Sequence, residues 1–95
     1  MHETSIGFCI YVDTLIEGSV PVEWTADRKP FTYPTREAAE REVAEDTIER
    51  IQQFLEGERE FEDAMIVEEY VVEVDISSDG SIVDETGNHF GKRNW

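Results

Sequence analysis

Carboxylates are the only residues in this chain with the numbers and spacing to do chemistry, and they suggest three arrangements: a calcium loop, an acid–base pair or a charged binding face. The run Asp75 to Thr86, DISSDGSIVDET, comes closest to a motif. Asp75, Asp79, Gly80 and Ile82 match positions 1, 5, 6 and 8 of a helix–loop–helix calcium site. Position 3 is Ser77, and position 12, which must supply a bidentate Glu, is Thr86, with Glu85 one place early. The flanks alternate with period two, so no helices enter or leave. The run therefore reads as a β-hairpin turning at Asp79-Gly80.

Nucleophilic chemistry fares no better. Cys9 is the single cysteine, and its only imidazole partners would be His2 and His89. It falls mid-strand rather than at a helix N-terminus that would lower its pKa, so it reads as a half-buried structural thiol. No phosphate loop, dinucleotide fingerprint or nucleophile elbow is present. The paired carboxylates lie on polar stretches with no apolar pocket to turn one of them into an acid. The expectation is a non-enzyme without metal or cofactor.

What remains is the charge itself. The 95 residues carry a formal net charge of −15. Residues 37–85 hold eighteen acids against Arg41, Arg50 and Arg59, whereas the rest of the chain holds five acids and five bases. The whole imbalance thus lies between residues 37 and 85. Such a field repels nucleic acid and anionic membranes and attracts basic protein surfaces. The basic-aromatic tail HFGKRNW is too short to reverse it.

That segment opens within the longest helical pattern in the chain, Thr35 to Gly57. An apolar stripe of Ala39, Val43, Ala44, Ile48, Ile51, Phe54 and Leu55 recurs at three- and four-residue steps and is expected to face the core. Thr35 suits an N-cap and Gly57 a C′ stop. Glu37, Glu40, Glu42, Glu45, Asp46, Glu49 and Glu56 are expected to project outward, and beyond them come Glu58, Glu60, Glu62 and Asp63. Like charges three or four apart, such as Glu42 with Glu45 and Asp46, each cost a few tenths of a kcal/mol, about 0.2–0.5. A neutral surface would have avoided them. The candidate partner-binding residues are therefore Glu40, Glu42, Glu45, Asp46, Glu49, Glu56 and Glu60.

The helix needs a sheet to rest on. SIGFCIYVD alternates, with Ile6, Phe8, Ile10 and Val12 on one face. SVPVEWT comes next as an edge strand, because Pro21 cannot donate a ladder hydrogen bond. EREFEDA is an acidic connector, either a last helical turn or a loop pinned by Phe61. IVEEYVVEVDIS places Ile66, Tyr70, Val72, Val74 and Ile76 on one face, and SIVDET returns beyond the Asp79-Gly80 turn. These elements predict one domain over 1–95 of α+β class: a four-stranded antiparallel sheet in the order β-β-α-β-β, with the long amphipathic helix packed on one face. The other face, carrying Cys9, Tyr11, Val67 and Val71, is expected to be partly open.

A small acidic α+β chain without catalytic motifs resembles the inhibitors encoded by phages and mobile elements, among them anti-CRISPR proteins and other DNA mimics. The resemblance covers charge, size and architecture and transfers no residue roles. It implies occupation of a basic groove in a nucleic-acid-binding complex by helix carboxylates. The expected function is a cytoplasmic, non-enzymatic inhibitor or nucleic-acid mimic that binds a basic protein surface, not nucleic acid or membrane, as a monomer or homodimer. The alternative is an accessory domain whose acidity serves solubility or high salt, self-associating through the open sheet face. Uniform halophilic charge would have coloured residues 1–36 as strongly, but these hold only five acids against three bases.

Overall fold

The computed structural model describes residues 4–91. Strands β1 (Ser5–Thr14) and β2 (Gly18–Pro21) form a first hairpin, and helices α1 (Arg36–Leu55) and α2 (Phe61–Met65) come after it. The chain closes with β3 (Tyr70–Ile76), β4 (Ile82–Asp84) and β5 (His89–Phe90). The result is α+β, with an antiparallel curled sheet in the order β2-β1-β3-β4-β5 and one long helix. The sheet has five strands where four were expected.

The fifth strand arises from Asp84. Its Oδ1 accepts hydrogen bonds from the Thr86 amide, the Thr86 hydroxyl and the Asn88 amide, at 3.0, 2.6 and 3.1 Å. These three donors reverse the chain around Gly87, whose φ of 87° favours glycine. His89 and Phe90 are thereby delivered back alongside β4. The residues read as a basic-aromatic tail thus begin as sheet, while Lys92–Trp95 and His2 lie outside the described residues.

β1 is the organising strand. Its register pairs Phe8 with Glu73 and Cys9 with Val72, so the two apolar stripes expected to share one core fall on opposite sides of the sheet. Phe8, Ile10 and Val12 point to the α1 side, where the Arg36 guanidinium lies 5.2 Å over the Phe8 ring. Cys9 and Tyr11 point the other way, into a cluster with Val74 and Ile82, flanked by Val72, Ile76 and Phe90. The face expected to be open is therefore the tightest part of the molecule: Cys9 is 0 % and Tyr11 1 % exposed. Burial pushes the Cys9 thiol up to about 12, with Glu23 adding to the shift, so it stays protonated at neutral pH.

An arm running from Glu23 to Phe31 helps to close that face. Its ends are tied by the Thr25 amide donating to the Lys29 carbonyl and the Phe31 amide donating to the Glu23 carbonyl. Trp24 meets Phe90 edge-on with centroids 6.5 Å apart, and Lys29 Nζ donates to the Gly91 carbonyl at 2.7 Å. Tyr33 then extends the β2 edge by exchanging two backbone hydrogen bonds with Phe8. Gly7 sits where this packing is closest; a Cβ there would lie 2.5 Å from the Ile76 δ-methyl.

The termini of α1 match the sequence. Thr35 Oγ1 accepts from the Ala38 amide at 3.1 Å. At the other end Gly57, at φ 82°, donates to Phe54 and Glu58 donates to Gln53, which is a Schellman closure. A helix of 20 residues is about 30 Å long, more than the sheet beneath it can cover. Its last turns lean instead on α2, where Phe54 and Phe61 meet edge-on at 5.3 Å. The molecule is elongated in consequence, at 53 × 29 × 24 Å. Its radius of gyration is 15.2 Å, against about 12–13 Å for a compact chain of this length.

Candidate protein-binding surface

Ala39 is the one fully buried residue of α1, and it fixes which face points inward. Val43, Thr47, Arg50 and Phe54 lie on the same side, half-buried, with Glu42 and Asp46 at its edge. The expected apolar stripe is therefore only partly internal. Ala39, Val43, Ile51 and Phe54 are covered to some degree, but Ala44 is exposed and Ile48 and Leu55 are 64 % and 69 % exposed.

The same rotation divides the candidate acids. Glu40, Glu45, Glu49, Glu56 and Glu60 are exposed. Glu42 and Asp46 do not project outward as expected; they are half-buried and turn toward Glu23, Tyr33 and Glu69. Helical spacing places Glu45, Glu49 and Glu56 on one flank, three to four or seven residues apart, continuous with Glu42 and Asp46 at its inner margin. Glu40 lies on the opposite flank with Arg36 and Val43, beside the start of β3. Glu60 caps the start of α2 without a side-chain hydrogen bond.

The inner margin is electrostatically loaded. Tyr33 Oη donates to Glu23 Oε1 at 2.6 Å. The Glu42 carboxyl is held above the usual carboxylate range by burial first, and then by Asp46, Glu23, Glu45 and Glu69. Glu69 is also raised, by burial and Asp46, with Arg50 pulling the other way and Glu23 adding to the rise. Arg50 lies 3.8 Å from Glu69 through Nη1, and its Nη2 donates to Thr47 Oγ1 and the Ile66 carbonyl, both at 3.2 Å. Its Nε is buried without a partner. Among the described residues Arg50 is ion-paired with Glu69 alone, and the neighbouring carboxylates still hold Glu42 and Glu69 above the usual range.

These shifts give stability a pH dependence of defined sign. A carboxyl whose pKa is raised on folding contributes stability that is fully present below its unfolded pKa and is lost as pH rises through the folded value. Glu42 and Glu69 therefore make the fold firmer as pH falls from neutrality toward the ordinary Glu value of 4.5. Asp13, Asp79 and Asp84 are lowered, so their contribution is lost in more acid solution, below the ordinary Asp value of 3.8. Thermal melting across pH should show a maximum in mild acid. Glu42→Gln should raise stability at pH 7 by about 0.5–1 kcal/mol and flatten the rise between neutral and mild acid. A melting temperature unchanged by that substitution would show that no charge conflict is stored at this margin.

Among the described residues no three His, Cys, Asp or Glu side chains converge as a metal site. Asp79, the centre of the calcium-like run, is engaged by the amide and hydroxyl of Ser81 within its own turn. Among the described residues no helix is long and apolar enough to cross a membrane. Comparison with protein-family models, with curated proteins and with solved structures found no match for the chain.

Proposed function

We propose that this chain is a non-enzymatic protein-binding module that engages a basic surface of another protein through the acidic flank of α1. The observation that carries this reading is the placement of charge. Glu45, Glu49 and Glu56 stand exposed in a row, and the half-buried Glu42 and Asp46 reinforce the field from behind. Glu45 and Glu49 stand about 5–6 Å apart, near the spacing of phosphates along a nucleic-acid strand, and Glu56 follows two turns on, about 10 Å further along the same flank. A rigid helix carrying them can compete for a groove that ordinarily receives nucleic acid, by fast and salt-sensitive association. Inhibition of a nucleic-acid-binding complex, in the manner of phage-encoded DNA mimics, is the specific form we favour.

The helix carries this surface at a cost. Its exposed acids oppose one another, its last turn has no cation to offset the helix dipole, and its inner margin holds a raised carboxyl. General solubility would be served equally by charge spread over β1, β2 and the arm, which hold only three acids (Asp13, Glu23, Asp27) against two bases (Arg28, Lys29).

The test is a capture experiment with the immobilised chain in about 50 mM and about 500 mM salt. The expected result is that the wild type retains basic nucleic-acid-binding proteins at low salt and releases them at high salt. The triple variant Glu45→Lys, Glu49→Lys, Glu56→Lys, shown to fold by circular dichroism, should retain none of them. Equal retention by wild type and variant would exclude this flank as the site.

A further inference from the structure

Four residues of α1 form a second stripe, three of them exposed (Ala44, Ile48 and Leu55) and one, Ile51, half-buried. Ala44, Ile48, Ile51 and Leu55 succeed one another at steps of four, three and four, the spacing of a helix–helix seam. Ala39, Val43, Arg50 and Phe54 meet the rest of the molecule on another side of the helix, so helical spacing sets Ala44, Ile48 and Leu55 off the covered side, with Ile51 at its margin. Ile48 and Leu55 project from it largely bare, and Arg41 and Glu37 continue it toward the helix start, joined by an exposed 2.9 Å ion pair.

We propose that α1 pairs antiparallel with α1 of a second copy of this chain along Ala44, Ile48, Ile51 and Leu55. The stripe is complementary to itself under a two-fold axis lying between Ile48 and Ile51. Antiparallel alignment sets each Ile48 against the other copy's Ile51. It also sets each Ala44 against the other copy's Leu55, so a small side chain meets a large one in both outer layers. The ends match in charge as well. Arg41 is carried to the other copy's helix terminus, where Glu56 and Glu58 stand and where α1 has no basic residue of its own. Flanking positions put Glu45 beside Gln52, an acceptor beside a donor, rather than acid beside acid. A parallel pairing would instead set Arg41 against Arg41 and Ala44 against Ala44, leaving a gap and a repulsion.

The seam covers about 17 Å of helix, so the interface lies near the small end of specific contacts, about 1,000 Å² in total, with a dissociation constant in the micromolar range. Two bodies of −15 each repel, and salt screens that repulsion. Self-association therefore strengthens with salt, opposite to capture of a basic partner. The acidic flank of Glu45, Glu49 and Glu56 borders the seam without filling it, so pairing presents two such flanks at once.

Sedimentation velocity of the full chain from about 1 to 500 μM, in low and high salt, tests the pairing. The expected result is a monomer–dimer equilibrium that shifts toward dimer in high salt. Ile48→Glu should weaken it by at least about a hundredfold with the circular dichroism unchanged. Orientation is read by oxidising Ala44→Cys with Leu55→Cys beside Ala44→Cys alone: antiparallel helices cross-link the double variant and not the single one, whereas parallel helices cross-link both. Cys9 is buried and does not compete. A strict monomer across the range, a dimer indifferent to Ile48→Glu, or cross-linking by Ala44→Cys alone would each overturn the proposal. None of these results bears on the salt-released capture of a basic partner, so the two readings fail separately.

Discussion

Tyr11→Ala is expected to cost about 4 kcal/mol and to leave much of the chain unfolded at about 37 °C. Tyr11 is the largest fully buried side chain, and three independent contacts converge on it. Phe90 meets its ring edge-on at 5.9 Å, Tyr70 lies tilted at 6.2 Å, and its hydroxyl donates to Asp84 Oδ2 at 3.0 Å. Truncation removes a ring from between β1, β3 and β5, whose cover over that face is thin and cannot collapse to fill the space. Aromatic-to-alanine changes at such sites cost about 3–5 kcal/mol, against a total of about 5–15 for a domain. Tyr11→Phe keeps the ring and loses only the hydrogen bond, about 1–2 kcal/mol. Urea unfolding monitored by tryptophan fluorescence separates the two, and a loss below about 1.5 kcal/mol for Tyr11→Ala would mean that this cluster is not the core.

Asp84→Ala is expected to cost about 3 kcal/mol, for a different reason. Its carboxylate is 8 % exposed and accepts from Tyr11, from the amide and hydroxyl of Thr86 and from the amide of Asn88. Burial alone would raise its pKa, but these donors, Thr86 and Asn88 foremost, outweigh burial and hold the carboxyl below the usual range. Removing the acceptor strands several donors at once and releases the turn that returns β5 to the sheet. Amide exchange at His89 and Phe90 should accelerate more than at β1. Tyr11→Phe and Asp84→Asn should be non-additive by about 1 kcal/mol, because each removes half of one hydrogen bond. Simple additivity in that cycle would show that the two residues act apart.

Much of the fold is legible in the sequence. The α1 caps at Thr35 and Gly57, the edge strand at Pro21 and the Asp79-Gly80 turn each rest on local chemistry that one residue type dominates. The features that escape are non-local. FCIYV in β1 is a continuous apolar run, the mark of a strand buried on both faces, but its alternating polar neighbours suggest a single inward face. β5 is hidden because the Gly87-Asn88 signal marks an end or a turn of β4 equally well, only two residues of strand follow it, and the turn is held by Asp84 from several residues back. The orientation of α1 is obscured because its apolar residues form two stripes rather than one. The half-buried Thr47, Arg50, Glu42 and Asp46 occupy positions that a hydrophobic pattern assigns to solvent. Those polar residues serve the arm and β3, whose places beside the helix are not encoded in α1 itself. For the candidate site, the exposed Glu45, Glu49 and Glu56 are legible from spacing alone, whereas the inward turn of Glu42 and Asp46 is not.

The central claim is that the flank of α1 carrying Glu45, Glu49 and Glu56 recruits a basic partner by its field. The most direct test is the rate at which a captured partner associates with the immobilised chain as ionic strength rises. The predicted result is a rate constant that falls steeply with salt for the wild type and is low and nearly flat for the Glu45→Lys, Glu49→Lys, Glu56→Lys variant. A wild-type rate that is insensitive to salt, or a variant that associates with the same rate and slope, would contradict it.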